Sequence, residues 1–225
     1  MRIGITGWRG FIGSHLRERI ENPVLFQGDM RDLNQVKRFV KQCDRIYHIA
    51  GKNRDNEGDI LFNNVLSTGN LVLACKLQKV SPEIILLSST QTEWNPDSEY
   101  GLTKLIEEKI VEQAEKWCIF RLPNVYGPRC KPFYNSVVAT FCFQIAHGKE
   151  VMMKNPSDTR EFISVDKLIE CLLQPEFNEY VMPTGDVMDI RTLHDFLTVR
   201  FGEHEDLEKT LTWYKENMDA FVSAS

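Results

Sequence analysis

The chain has 225 residues, of which 42% are hydrophobic and 26% charged, and its formal net charge is −5 at pH 7. These values are ordinary for a folded globular protein and argue against a disordered, collagen-like or coiled-coil chain. Proteins that bind nucleic acids usually carry a basic stripe, so the acidic balance argues against that class as well. A chain of this length can bury a sizeable core without a metal or a disulfide.

The cysteines and the hydropathy pattern indicate the cellular compartment in which the protein is expected. The six cysteines, at positions 43, 75, 118, 130, 142 and 171, form no Cys-x-x-Cys pair and no Cys/His ligand spacing. No stretch approaches the ~20 apolar residues of a membrane span, and the first strand pattern lies so near the N-terminus that it leaves no room for a signal peptide. We therefore expect a reduced, cytoplasmic protein with no metal site, no membrane segment and no nucleic-acid partner.

Short apolar runs alternate with helical patterns along the chain, which is typical of a parallel sheet covered by helices. Strands are predicted at 2–6, 24–27, 45–50, 83–89 and 118–122, with further short strands at 151–153, 162–165 and 180–182. Helices are predicted at 11–20, 33–43, 60–77, 100–116, 136–147, 190–201 and 206–225. The predicted fold class is α/β, a Rossmann-like doubly wound parallel sheet with a small C-terminal substrate-binding lobe.

Three glycines follow the first strand and open the first helix, in the sequence TGWRGFIG at 6–13. In the pattern G-x-x-G-x-x-G, Gly7 permits a tight turn, Gly10 lets the backbone approach a pyrophosphate, and Gly13 allows close packing of helix on strand. The helix N-terminus then offers N–H groups to an anion. The motif predicts a dinucleotide site, and the alternative is a plain structural turn.

An acidic residue that hydrogen-bonds the adenosine ribose is expected about 20 residues after such a turn. Here the sequence GDMRD at 28–32 ends the second strand, and Asp29 comes only sixteen residues after Gly13. Asp29 would favour NAD, whereas Arg31 could pair with a 2′-phosphate and favour NADP, and both alternatives stay open. Asp32 has a third interpretation, as the cap of the helix that begins near Leu33.

The sequence YGLTK at 100–104 places a phenol and an ammonium on one face of a helix. A nearby cation favours the phenolate, so it lowers the pKa of Tyr100 towards the working pH. Such a tyrosine can donate a proton to a carbonyl oxygen or remove one in the reverse reaction. A hydroxyl from the preceding strand end would bind the same oxygen, with Thr90 the first choice and Ser89 the second. The alternative for Tyr100 and Lys104 is an exposed structural pair.

Together these motifs resemble extended short-chain dehydrogenases/reductases of the NAD-dependent epimerase/dehydratase superfamily. The resemblance extends to HIAG at 48–51, NVLSTGNLVLAC at 64–75, RLPNVYGP at 121–128 and REFISVDKL at 160–168. Residues 50–54 and 124–148 are most similar to the reductase domain of capsule and O-antigen biosynthesis enzymes. That subgroup reduces UDP-linked 2-acetamido-2,6-dideoxy-hexos-4-uloses with NADPH.

The resemblance implies a role for each matching residue. Tyr100 would be the general acid, Lys104 would also hold the nicotinamide ribose, and Thr90 would orient the keto oxygen. The implied cofactor contacts are Gly7, Trp8, Arg9, Gly10, Phe11, Ile12, Gly13, Asp29, Met30, Arg31, Ala50, Gly51 and Lys104. The implied substrate contacts are Asn124 and Arg160 for the diphosphate and Asn53, Arg54, Lys131, Tyr134 and Asn135 nearer the sugar. In the alternative interpretation Asn124 is a turn residue, Arg160 a surface charge and Tyr134 a packing aromatic.

Two departures from relatives limit the function. The 4,6-dehydratases of the superfamily place Asp-Glu after the strand-end Thr, whereas this chain has Gln91 and Thr92, with Glu93 one step late. An amide cannot exchange the proton, so dehydration is not expected. Some relatives also carry a C-terminal cupin domain, and no His-rich β-barrel pattern is found here. We therefore expect another protein to perform any epimerisation that the pathway needs.

The expected function is NADPH-dependent reduction, with NADH an alternative cofactor, of the 4-keto group of a nucleotide-linked deoxy sugar for a surface polysaccharide. The alternatives are a nucleotide-sugar 4-epimerase and a non-catalytic dinucleotide-binding regulator. Residues 1–225 are expected to form one such unit, in which 1–122 is mainly the dinucleotide-binding core. Residues 123–225 would be mainly the substrate lobe, with segments that return to the core. A homodimer through the helices near 60–77 and 100–116 is a further expectation.

Overall fold

A computed structural model describes residues 1–53 and 60–224. The strands are β1 (Ile3–Thr6), β2 (Val24–Leu25), β3 (Arg45–His48), β4 (Glu83–Ser89), β5 (Trp117–Leu122), β6 (Asn124–Tyr126), β7 (Thr159–Ser164), β8 (Glu179–Val181) and β9 (Asp186–Asp189). The helices are α1 (Phe11–Arg19), α2 (Leu33–Val40), α3 (Ile60–Gln78), α4 (Gln91–Trp94), α5 (Glu99–Val111), α6 (Val137–Ala146), α7 (Val165–Leu172), α8 (Ile190–Leu197) and α9 (Glu205–Glu216). A 3-10 helix spans Met218–Ala224.

The chain divides into two compact units. The first unit comprises Met1–Leu122 and Cys171–Pro183, and the second comprises Pro123–Glu170 and Thr184–Ser225.

The first unit is built on a six-stranded parallel sheet in the order β2-β1-β3-β4-β5-β8. This confirms the predicted Rossmann-like α/β class. After β2 the chain crosses to the other side of β1, so the point where the strand order reverses lies between β1 and β3. Ligands of such sheets bind at that point, outside the carboxyl ends of the strands. The wholly buried core includes Ile5, Ile46, Ile84 and Ile119.

Helix α3 combines apolar composition with unusual length. Within residues 1–53 and 60–224 it is the helix long and apolar enough to cross a bilayer, judged by length and composition alone. In the protein, 44% of its 18-residue apolar stretch is buried. Its polar side chains are bonded inside the first unit, since Asn70 Nδ2 donates to the carbonyls of Met30 and Arg31 at 2.9 Å. A core helix of a Rossmann-like unit accounts for the same composition.

The second unit contains a three-stranded sheet in the order β6-β7-β9, parallel between β6 and β7 and antiparallel between β7 and β9. Helices α6, α8 and α9 pack together beside it. The Tyr214 hydroxyl on α9 donates to the carbonyl of Cys130, and both residues are buried. This bond ties the C-terminal helix to the segment between β6 and α6.

Several predicted elements need correction. The strand predicted at 151–153 does not form, and Met152 is 78% exposed there. The helix predicted at 100–116 ends at Val111, because residues 112–116 turn to bring Trp117 into register with Ile84. Strands β6 and β9 and helix α7 lie in segments where no such element was predicted.

Buried thiols are a further feature of both units. Five of the six cysteines are buried, and all six are free. Burial raises the pKa of Cys43, Cys75 and Cys118 to about 12, so these thiols stay protonated at neutral pH. Within the described parts of the chain, no group of three or more His, Cys, Asp or Glu side chains could hold a metal ion.

Candidate active site

The glycine turn after β1 forms a close-packed cradle. Gly7 has a φ of 68°, which favours glycine, and its carbonyl accepts from the Gly10 N–H at 3.0 Å. A Cβ added at Gly13 would lie 2.2 Å from the Gly7 oxygen. Gly10 precedes α1 without a side-chain cap, so the first N–H groups of that helix remain available to an anion. The turn therefore fits the pyrophosphate of a dinucleotide.

The side chains of the turn fix it to the neighbouring strand. Trp8 Nε1 donates to the carbonyl of Phe26 at 2.9 Å, just beyond β2. The guanidinium carbon of Arg9 lies 4.0 Å from the Trp8 ring centroid, and that of Arg17 lies 5.4 Å away. The indole is thus held by one hydrogen bond and two cation–π contacts. Phe11 and Ile12, both half-buried, begin α1.

Asp29 and Arg31, the two candidates for cofactor selectivity, form an ion pair with each other. Arg31 Nε lies 2.9 and 3.0 Å from the two carboxylate oxygens of Asp29, and Nη2 lies 2.6 Å from Oδ2. These bonds hold the pKa of Asp29 below its usual range. Met30, between them, is buried. The predicted role of Asp32 as a helix cap is confirmed, because its side chain accepts from the N–H groups of Asn34 and Gln35 at the start of α2.

The ends of β1 and β3 meet at the point where the strand order reverses. The Thr6 hydroxyl accepts from the N–H groups of Ile49 and Ala50, both at 3.1 Å. A Cβ at Gly7 would lie 2.6 Å from the Ala50 nitrogen. Ala50 and Gly51 therefore lie beside the glycine turn, as cofactor contacts would require.

The segment after Gly51 leads towards the predicted sugar contacts. The Asn64 side chain bonds the backbone N–H and carbonyl of Lys52, each at 2.8 Å. Asn53, which follows, is half-buried. Arg54 lies outside the described residues, so its predicted substrate contact stays a prediction.

Tyr100 and Lys104 lie on the first turns of α5, which is capped by Ser98. Lys104 Nζ is 5.9 Å from the Tyr100 ring centroid, donates to the Leu87 carbonyl at 3.1 Å and lies 2.8 Å from Glu107 Oε2. Burial opposes the charge on Lys104, but Glu107, Tyr100 and Glu108 together outweigh it, with Glu107 the largest contributor, so the pKa of Lys104 is raised. Lys104 is thus a fixed cation beside Tyr100, which favours the phenolate.

Thr90 directly follows β4 and is half-buried. Its hydroxyl donates to the Leu122 carbonyl at 3.3 Å, a long contact that an incoming oxygen can replace. The Ser89 hydroxyl is buried and accepts from the Gln91 N–H at 3.2 Å. Thr90 therefore remains the more accessible of the two hydroxyls.

Thr92 and Glu93, at or next to the positions where 4,6-dehydratases carry Asp-Glu, have structural roles. The Thr92 hydroxyl is buried and donates to the Ser89 carbonyl at 2.8 Å. Glu93 pairs with Arg121 at 2.8 Å, and Arg121 also binds the buried carboxylate of Glu108 at 2.7 Å. The chain thus has no carboxyl at the two positions after Thr90, and the carboxylate at Glu93 is already engaged.

The remaining predicted substrate contacts lie in the second unit. Asn124 on β6 donates to the Glu161 carbonyl at 3.0 Å, and Arg160 on β7 pairs with Asp158 at 2.6 Å. Lys131 Nζ lies 5.5 Å from the Tyr134 ring centroid. Asn135 is exposed, as are Asn124, Lys131 and Arg160, so these polar groups can reach a ligand.

Sequence reasoning missed the buried polar residues that support Lys104. They are His48 at the end of β3, Thr68 on α3 and Glu107 on α5, each at most 1% exposed. The i, i+3 spacing of Lys104 and Glu107 was the signal that could have revealed the pair. His48 and Thr68 have no local signal, because only the tertiary fold brings them together.

Residues 3–175 match the NAD dependent epimerase/dehydratase family, and the chain belongs to that family. It is 30% identical over 184 residues to a UDP-2-acetamido-2,6-beta-L-arabino-hexul-4-ose reductase of Pseudomonas aeruginosa, a match that covers 77% of this chain and 49% of the relative. It is 26% identical over 173 residues to a UDP-glucose 4-epimerase of Rickettsia bellii, covering 70% of this chain and 49% of the relative. The chain thus spans about half the length of these curated relatives.

Solved structures share the fold. One is DesIV, a dTDP-glucose 4,6-dehydratase from Streptomyces venezuelae with NAD bound. It has a TM-score of 0.85 at 17% identity, and the match covers 100% of each chain. At this level of identity the likeness concerns the fold alone.

Proposed function

We propose that the protein reduces the 4-keto group of a nucleotide-linked deoxy sugar, with NADPH or NADH as the hydride donor. The observation that carries the proposal is the placement of Lys104 beside Tyr100, in the unit that also holds the glycine cradle. A general acid and a dinucleotide site in one Rossmann-like unit are the parts that a ketoreductase needs. The name of the Pseudomonas aeruginosa relative favours this reaction and a UDP-linked 2-acetamido-hexul-4-ose substrate.

The proton chemistry follows from the residues of the first unit. A nicotinamide dinucleotide held by the glycine turn would supply the hydride for the carbonyl carbon. Tyr100 donates its hydroxyl proton to the carbonyl oxygen, which becomes the sugar hydroxyl, and solvent then reprotonates Tyr100. Lys104 stabilises the tyrosinate as a fixed cation, and the Thr90 hydroxyl hydrogen-bonds the same carbonyl oxygen.

The substrate contacts are proposed on the chemistry of the side chains. Arg160 presents a guanidinium that suits a diphosphate, and Asn124 adds an amide on the adjacent strand. Lys131, Tyr134 and Asn135, with Asn53 and Arg54, are assigned to the sugar. A role in surface polysaccharide biosynthesis and a cytoplasmic location stay predictions.

The direct test is absorbance at 340 nm with NADPH or NADH and a UDP-2-acetamido-2,6-dideoxy-hexos-4-ulose made in situ by a dehydratase. Oxidation of the cofactor, together with a gain of two hydrogens in the mass of the sugar nucleotide, is the expected result. A protein that binds the cofactor but oxidises none would contradict the reductase.

The second candidate is a nucleotide-sugar 4-epimerase, which the Rickettsia bellii relative favours. An epimerase of this chemistry uses the same tyrosine and lysine but keeps its cofactor bound and returns it oxidised. Purified protein that carries tightly bound NAD and interconverts two UDP-hexoses without net use of NADPH would establish it.

We also propose that the protein is a homodimer. An apolar groove of about 440 Å³ runs between α3 and α5 and is lined by residues such as Val72, Leu73, Leu105, Ile106 and Ile110. Leu73 and Leu77 beside it are 43% and 51% exposed. Light scattering should give twice the mass of one chain, and Leu73→Lys should give the mass of a single chain.

A further inference from the structure

We propose that Glu107 is a positioning residue that holds Lys104 against Tyr100, as part of a buried hydrogen-bond chain that starts where β1 and β3 meet and ends at Lys104. The inference rests on the proposed function, because it concerns the same general acid. The chain runs through Thr6, His48, Thr68, Glu107 and Lys104, and all five residues are buried in the first unit.

The direction of each hydrogen bond follows from donor counting. The Thr6 hydroxyl oxygen already accepts from the Ile49 and Ala50 N–H groups, so its own hydrogen points to His48 Nδ1, 2.9 Å away. Nδ1 is therefore an acceptor, and the neutral imidazole carries its hydrogen on Nε2. Burial keeps the ring neutral, since it lowers the pKa of His48 to about 4.

The second half of the hydrogen-bond chain runs through the Glu107 carboxylate to Lys104. His48 Nε2 donates to the Thr68 hydroxyl at 3.0 Å, and that hydroxyl donates to Glu107 Oε1 at 2.7 Å. Glu107 Oε2 lies 2.8 Å from Lys104 Nζ, without another hydrogen-bond partner among the described residues. Each donor and acceptor has one consistent direction, which favours a single geometry.

The neighbouring carboxylate cannot replace Glu107. Glu108 is also wholly buried, but it is bound by Arg121 at 2.7 Å and by the Ser88 hydroxyl at 2.5 Å. Its charge is therefore already balanced. Glu108 raises the pKa of Lys104 less than Glu107 does, and the other titratable groups close to Lys104 are Tyr100 and neutral His48. Glu107 is thus the carboxylate that keeps the buried ammonium charged and in place.

The hydrogen-bond chain also links Lys104 to the cofactor side of the sheet. Its first member fixes the backbone of Ile49 and Ala50, beside the glycine turn. A dinucleotide that contacts the backbone of Ile49 and Ala50 would therefore touch the first end of the hydrogen-bond chain whose other end orients Lys104. Glu107→Gln is therefore expected to affect turnover more than cofactor affinity.

The test measures the protonation of Lys104 directly, by the ¹⁵N resonance of its ammonium group, assigned with Lys104→Arg. In Glu107→Gln the midpoint of its titration is expected to fall by at least about one pH unit, because desolvation then acts without the largest of the compensating charges. Glu107→Asp, which keeps the charge, should give a smaller fall and serves if the Gln variant does not fold. Glu115→Gln, at an exposed position just beyond α5, is the matched control.

Kinetics provide the second readout. The proposal predicts a lower kcat for Glu107→Gln, a high-pH limb moved to lower pH, and a KM for the sugar nucleotide within about twofold of wild type. An unchanged Lys104 titration in folded Glu107→Gln would overturn the inference. A wild-type protein that reduces no keto sugar would refute the proposed function, whereas the titration would still decide the role of Glu107.

Discussion

The guanidinium of Arg31 binds both carboxylate oxygens of Asp29, two residues earlier in the chain. Both side chains are about half exposed at the end of the β2 segment. An adenosine ribose would find an acceptor in Asp29, and a 2′-phosphate would find a donor in Arg31. Because each group neutralises the other, selectivity between NAD and NADP depends on which partner leaves the pair.

Asp29→Asn should therefore shift selectivity towards NADPH. The substitution removes the negative charge that repels a 2′-phosphate and frees the Arg31 guanidinium to bind it. We expect the ratio of Kd for NADH to Kd for NADPH to rise about tenfold, which corresponds to about 1.4 kcal/mol. Calorimetric titration with each cofactor measures the ratio.

Arg31→Ala should move the same ratio in the opposite direction, because it leaves Asp29 open to a ribose hydroxyl. Arg19→Ala, at an exposed site at the end of α1, removes the same charge away from the pair and should leave the ratio unchanged. If both Asp29→Asn and Arg31→Ala shift the ratio in one direction, the ion pair does not set selectivity.

Tyr100→Phe should slow reduction strongly while it preserves the cofactor site. The variant lacks the hydroxyl that donates the proton, so kcat should fall by about 10² to 10⁴. The Kd for NADPH should stay within about twofold. Tyr180→Phe is the matched control, because the Tyr180 hydroxyl donates to Glu112, and its kcat should be that of wild type. Equal activity in Tyr100→Phe would refute the assigned mechanism.

The sequence was sufficient to predict the parallel sheet because each buried strand is a short apolar run between helical patterns. Strand β4 contains Ile-Ile-Leu-Leu, and it lies between β3 and β5 as a strand buried on both faces should. Strand β9 has no such pattern, since Asp186 and Val187 are exposed and only Met188 is buried. Its pairing with β7 is a tertiary contact that local periodicity does not reveal.

In the candidate site too, local sequence patterns predicted some features, whereas contacts made only by the tertiary fold were missed. The pairing of Tyr100 with Lys104 follows from helical spacing, and the turn at Gly7 follows from its glycines. The ion pair between Asp29 and Arg31 was not predicted, because the two side chains were treated as separate ligands. His48 and Thr68 were missed because they are twenty residues apart and meet only through packing.

Gly13→Ala should disrupt the glycine cradle. A Cβ there would lie 2.2 Å from the Gly7 oxygen, closer than any real contact, so the turn must shift. We expect a loss of at least tenfold in NADPH affinity, measured by calorimetry. Gly69→Ala on α3 is the control, because a Cβ at that site meets nothing within 4 Å of the same chain, and it should leave the NADPH affinity unchanged. Wild-type affinity in Gly13→Ala would contradict the cradle.

Glu108→Gln should destabilise the first unit strongly. Its carboxylate is wholly buried and binds Arg121 and Ser88, so the substitution leaves the Arg121 charge, 19% exposed, without its main partner. Breaking a buried pair in this way costs about 3 kcal/mol. Urea unfolding measures the change. Glu203→Gln, which breaks an exposed pair with Arg200, should cost less than about 1 kcal/mol, and equal losses would show that burial does not matter here.

His48 should make stability depend on pH in mildly acidic solution. Its pKa is lowered to about 4 by burial in the folded protein, against about 6.5 in the unfolded chain. Between these values the unfolded state binds a proton that the folded state does not, so stability falls as the pH falls from about 6.5 to about 4. The expected loss from pH 7 to pH 5 is about 2 kcal/mol. Urea unfolding of wild type and His48→Gln at both pH values isolates it, because the variant keeps every other titrating group and should lack this loss. An equal pH dependence in the two proteins would mean that His48 is not held neutral by the fold.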